Sequence, residues 1–131
     1  MVLNETDWEY PGAKDRGGSD KDGENYTALL KELRQAIESS GRNYVSTFTA
    51  PTSYWYLRHF DIKNMSEHVD WINLMSYDLH GVWDGENPIG KHVLSHTNLT
   101  EIDLALDLVG STRLDESIVL LLTCTSSGVS M

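Results

Sequence analysis

The segment "VDWINLMSYD", Val69 to Asp78, constrains the fold more than any other stretch of the chain. It alternates around a nearly continuous apolar body of strand length. Such a strand is buried on both faces, which parallel sheets covered by helices provide and half-solvated antiparallel sheets do not. Its neighbours in sequence fit that demand. "YVSTFTAP", Tyr44 to Pro51, is β-branched and aromatic and ends at a proline, so it reads as a strand. "SIVLLLT", Ser117 to Thr123, is a last apolar strand. Between them lie helical patterns. Tyr26, Leu29, Leu30, Leu33 and Ile37 repeat at i, i+3, i+4, i+7 and i+11, with Gly41 as a stop. Thr52 to Phe60 reads as a short helix. Asn98 and Glu101 suggest a capping box before a stripe of Ile102, Ala105, Leu106 and Val109. With an opening strand near residue 4, the order is β-loop-α-β-α-β-loop-α-β. That alternation predicts a parallel sheet of βαβ units.

Chemistry is concentrated at two strand ends. In "NETDWEYPG", Asn4 to Gly12, the acids Glu5, Asp7 and Glu9 are two residues apart. On a strand they all point to one side, because side chains alternate with period two. Carboxylates crowded on one covered face raise at least one pKa, as a general acid working near neutral pH requires. The second end is Met75-Ser76-Tyr77-Asp78, where an apolar strand finishes on a phenol and a carboxylate. With the two strands as parallel neighbours in one sheet, Asp7, Glu9, Tyr77 and Asp78 converge at its carboxyl end. Two carboxyl groups, a phenolic donor and aromatic walls suit hydrolysis of a sugar bond. Taken singly, each of the four reads equally well as an ordinary strand-end polar residue.

Composition narrows the partners. The 131 residues carry 20 acids against 10 basic side chains, a net charge of −10. That balance argues against nucleic acid or an anionic membrane surface. No stretch approaches the ~18 unbroken apolar residues of a membrane span. Cys124 stands alone, no Cys/His cluster has zinc-ligand spacing, and no cofactor motif occurs, so neither metal nor cofactor is expected. The five histidines read as surface or capping residues. Met1-Val2-Leu3 runs straight into the acids, which leaves no room for a signal peptide in the chain as written. Four N-x-[ST] sequons, at Asn4, Asn25, Asn64 and Asn98, give only a faint secretory hint.

"TDWEYPGAKDRGG", "NYTALLKELR", "FTAPTSYWYLRHFD", "VDWINLMSYDLHGVWD" and "HTNLTEIDLALDL" together resemble fungal-type chitinases of glycoside hydrolase family 18, over roughly residues 5 to 108. The end of the family's D-G-x-D-x-D-x-E signature falls on Asp7 and Glu9, and its M-x-Y-D on Met75 to Asp78. The resemblance implies a (β/α)₈ TIM barrel, of which this chain holds the part like strands four to seven with their helices. It implies cleavage of β-1,4-linked N-acetylglucosamine polymers (chitin or chito-oligosaccharides) by substrate-assisted retention. Glu9 is then the acid and base, Asp7 holds the acetamido N–H, Tyr77 bonds the acetamido oxygen, and Asp78 and Met75 shape the pocket. Trp83 would offer a stacking face, and Glu5 takes the place of the signature's middle aspartate. The signature's opening Asp-Gly falls on Val2-Leu3. A full barrel takes about 250 residues, so residues 1–131 read as a truncated catalytic domain. Its open barrel edges invite self-association. Two rival readings remain: a chitin-binding relative without activity, and an inert fragment.

Overall fold

A computed structural model describes residues 2–86, 95, 98–111 and 119–123. Four strands, β1 (Val2–Thr6), β2 (Tyr44–Pro51), β3 (Trp71–Met75) and β4 (Val119–Thr123), form one sheet in the order of the sequence. All three pairings are parallel. The connections carry α1 (Asp22–Ser39), α2 (Tyr54–Leu57), α3 (Ile62–Ser66) and α4 (Leu99–Gly110). The sequential parallel order is the one that alternating strands and helices predict, and β2 has the predicted bounds.

The register sorts the strand residues onto two faces. Phe48 pairs with Ile72 and Ala50 with Leu74, while Thr47 pairs with Glu5 and Thr49 with Asn73. The first set is buried in the main apolar cluster together with Tyr26 and Leu30 of α1, Leu57 of α2, Ile62 and Met65 of α3 and Val109 of α4. Each such side chain fully removed from water contributes about 1.5–3 kcal/mol before entropy is counted. The second set is polar and lies across the sheet from the helices, because adjacent strand residues point to opposite faces.

α1 begins four residues earlier than its apolar repeat, at Asp22 rather than Tyr26. Asp22 explains the extension. Its carboxylate accepts from the Ser19 hydroxyl at 2.6 Å, the Ser19 N–H at 2.8 Å and the Gly12 N–H at 3.2 Å. Those donors, Ser19 first, hold its carboxyl below the ordinary range. The bond to Gly12 ties the helix start to the chain leaving Glu9. Gly12 has φ 71°, and a Cβ there would lie 2.7 Å from the His59 ring, so only glycine fits this turn.

α3 has no counterpart in the sequence reading, which placed one short helix in Thr52 to Phe60. Asp61 caps it by accepting from the Asn64 N–H, and it buries Ile62 and Met65. Five residues are too few to display a helical repeat. Asn98 caps α4 by accepting from the Thr100 N–H, and the Glu101 carboxylate is bonded to His80.

Candidate active site

Only Glu5 of the three stepped acids lies within hydrogen-bonded strand, yet the alternation continues past it. Thr6, Trp8 and Tyr10 are half-buried, whereas Glu5, Asp7 and Glu9 are exposed. The acids therefore keep to one side, as their spacing predicts. Tyr26 anchors this extension from below. Its hydroxyl donates to the Thr6 carbonyl at 2.9 Å, and its ring meets Trp8 at 5.3 Å and Phe48 at 6.0 Å between centroids. Burial pushes the Tyr26 phenol far up, so it stays a protonated donor.

The two site-bearing strands are parallel but not adjacent. β2 lies between β1 and β3, which corrects the expectation that they are neighbours. β2 also bridges them. Thr49 Oγ1 donates to Asp7 Oδ1 at 2.5 Å, and Thr52 Oγ1 donates to the Met75 carbonyl at 3.1 Å. One step down, Asn73 Nδ2 donates to Glu5 Oε1 at 2.8 Å and also reaches Thr47 Oγ1 at 3.4 Å. Trp71 Nε1 donates to Asn73 Oδ1 at 3.0 Å. Two donors on the polar face of the sheet, Thr49 and Asn73, are thus aimed at Asp7 and Glu5.

Met75 ends β3, buried, and the half-buried Tyr77 and exposed Asp78 follow it. Asp78 takes φ 53°, a left-handed conformation that aspartate tolerates better than most residues. Tyr77 registers where the acids are. Burial raises its phenol first, and the charges of Glu9, Asp7, Asp78 and Glu5 raise it further. All four predicted carboxylates therefore act on one phenol, which is held as a hydrogen-bond donor. Tyr10 behaves alike: burial and the neighbouring Glu9 carboxylate, to which it is hydrogen-bonded, push its phenol up.

A cleft of about 640 Å³ opens at this end of β2 and β3. Tyr10, Tyr56, Trp55, Met75, Tyr77 and Asp78 are among its lining residues. Tyr10 stacks on Tyr56 at 4.3 Å, and the Arg58 guanidinium lies 4.0 Å over the Trp55 ring. Tyr56 and Trp55 were absent from the predicted site, as were Thr49 and Asn73. The threonine and asparagine sit inside apolar strands, and a polar residue in such a strand was the available signal. Trp83 falls in the 3-10 turn Val82–Glu86, and its side chain is outside the described residues.

His80 departs furthest from its sequence reading as a surface or capping residue. It is only 8% exposed. Its Nδ1 lies 3.2 Å from Asp84 Oδ2 and its Nε2 2.9 Å from Glu101 Oε2. The bond to Glu101 raises its pKa, Asp84 adds to this, and burial opposes both. Among the described residues no group of three or more His, Cys, Asp or Glu side chains is arranged to hold a metal ion. Nor is any described helix long and apolar enough to cross a membrane.

The model of the family "Glycosyl hydrolases family 18" matches residues 5–125. The chain belongs to glycosyl hydrolase family 18. Among curated members, it is 40% identical over 114 residues to the probable chitinase LysM11 of Penicillium expansum, with 79% of this chain and 10% of that protein covered. It is 40% identical over 80 residues to an endochitinase of Manduca sexta, covering 60% of this chain and 14% of that one. Among solved family 18 structures and their kin, the chitinase ChiA74 from Bacillus thuringiensis superposes with a TM-score of 0.70 at 29% identity, over 92% of this chain and 21% of that one. The group IV chitinase of Ostrinia furnacalis in complex with allosamidin gives 0.67 at 26%, over 88% and 33%. The family 18 chain spans about a tenth of the length of the curated relatives it matches.

Proposed function

We propose that residues 1–131 are part of the catalytic domain of a chitinase, the arc of strands four to seven of a (β/α)₈ barrel, and that Glu9 is its acid and base. The observation that carries this reading is the bridge through β2: Thr49 holds Asp7 and Asn73 of β3 holds Glu5, so the stepped acids are tied to the parallel strand that leads into Tyr77 and Asp78. The substrate class follows from the family and from relatives that bear the name chitinase.

In this reading an N-acetylglucosamine unit lies over the acids with its acetamido group between Asp7 and Tyr77. Glu9 gives its proton to the glycosidic oxygen as the bond to the anomeric carbon breaks. The acetamido oxygen attacks that carbon from the opposite face and closes an oxazolinium ring. Asp7, fixed by Thr49, accepts the acetamido N–H and faces the positive charge that develops there. Tyr77, kept protonated, donates to the acetamido oxygen and aligns it. Asp78 and Met75 shape the same pocket. Glu9, now a carboxylate, takes a proton from water, which opens the ring with net retention. Each charge shift in this scheme is met by Glu9, Asp7 or Tyr77. Glu5, fixed by Asn73, adds negative charge behind Asp7. The outer edges of β1 and β4 are where further barrel strands, or a second copy, would pair.

The test is release of a fluorogenic aglycone from an N-acetylchitobioside by the purified chain. Glu9→Gln should lower kcat by about 10²–10⁴-fold, the usual worth of a positioned general acid. Equal rates in both proteins would sink the assignment of Glu9.

A further inference from the structure

His80 is a buried titratable group near the site that the reaction above does not use. Both ring nitrogens meet a carboxylate: Asp84 in its own loop, Glu101 in the first turn of α4. Those two are the titratable groups facing it from the elements packed around it. A neutral imidazole has only one N–H to give, so two acceptors are satisfied together only by the doubly protonated ring. The Asp84 carboxylate is itself committed, because it also accepts from the Gly81 N–H at 2.9 Å. Asp84 N–H in turn donates to the Gly81 carbonyl at 3.0 Å, which closes the turn after His80.

Placement gives this cluster its meaning. His80 is three residues beyond Tyr77 and two beyond Asp78, on the segment by which the chain leaves β3. Tyr77 and Asp78 lie past the last ladder bonds of β3. Glu101 belongs to a helix anchored in the core through Ile102, Ala105 and Val109. The bond from Glu101 to His80 therefore joins the segment that leaves β3 to a packed helix.

We infer that His80 is a positioning residue for this site: clamped between Asp84 and Glu101, it fixes the loop that presents Tyr77 and Asp78 to the substrate. Its bearing on catalysis rests on the roles proposed above for those two residues, but the clamp itself does not. His80 is held above its ordinary pKa when folded. The clamp is therefore complete below the unfolded value and is released as pH rises through the folded one.

Amide exchange without substrate tests the clamp in the full chain. The variants are Glu101→Gln, which removes a charge from the partner, and His80→Gln, which keeps a neutral donor on the loop. In both, protection at residues 77–81, corrected for intrinsic exchange rates, should fall about tenfold, the scale of a charge-assisted hydrogen bond. Protection in β2 and α1 should stay unchanged. In the wild type the same amides should lose protection as pH rises through the His80 ring titration followed by NMR. Unchanged protection in both variants overturns the inference, as does a loss that spreads equally to β2 and α1. On the chitobioside, Glu101→Gln should lower kcat more than it changes KM and move the alkaline fall of activity to lower pH. A chain that shows the exchange signature but releases no aglycone overturns the reading of Glu9 and still supports the clamp.

Discussion

On the helix side of the sheet stand Phe48, Ala50, Ile72 and Leu74, all buried in one apolar cluster. One residue along on the same strands, facing the other way, stand Thr47, Thr49 and Asn73, each hydrogen-bonded to a neighbouring side chain. The two sets alternate on shared backbone but answer to different physics. The first is held by area removed from water, where a polar group without a partner is a cost. The second is held by direction: Thr49 donates to Asp7 and Asn73 to Glu5, while Thr47 accepts from Asn73. The first face decides that the strands assemble, and the second decides where the acids sit once they have.

The largest way to break this division is Phe48→Ala, which removes a ring enclosed by Tyr26, Ile72 and the helices. It should destabilise the chain by about 3–5 kcal/mol, read as the shift of the urea midpoint. Asn73→Leu on the opposite face should cost less, about 1–3 kcal/mol, because it leaves Glu5 and the Trp71 indole without their partner. A larger loss for Asn73→Leu than for Phe48→Ala would show that the polar ladder, not the apolar cluster, holds the sheet. Ser46 sharpens the comparison from the other direction. It is fully buried, and its Oγ has no hydrogen-bond partner among the described residues. Ser46→Ala should therefore be neutral or stabilising by up to about 1 kcal/mol. A thermal midpoint that drops after this change would mean that the hydroxyl has a partner.

The helix-facing residues were also the more legible ones. An apolar repeat is visible without knowing its partners, so β2, β3, α1 and the parallel order follow from pattern alone. The acids of β1 were legible for a related reason, since three carboxylates at period two fit only one face of a strand. Asn73 and Thr49 were not, because the residues they bond are 68 and 42 positions away in sequence. His80 was missed for the same reason, compounded by Glu101. That glutamate fits the capping box with Asn98 so well that nothing local marks it as reserved for a histidine 21 residues earlier. Local pattern discloses what local forces decide, and a site assembled across strands is largely invisible to it.

The Tyr26 hydroxyl has a consequence for anyone who tries to improve the chain. It joins the end of β1, one residue before Asp7, to α1 in the apolar cluster. A selection scheme that rewards only the placement of the acids would still screen the packing of α1, since a shift of that helix moves the carboxylates with it. Variants chosen for that placement would thus arrive already filtered for stability.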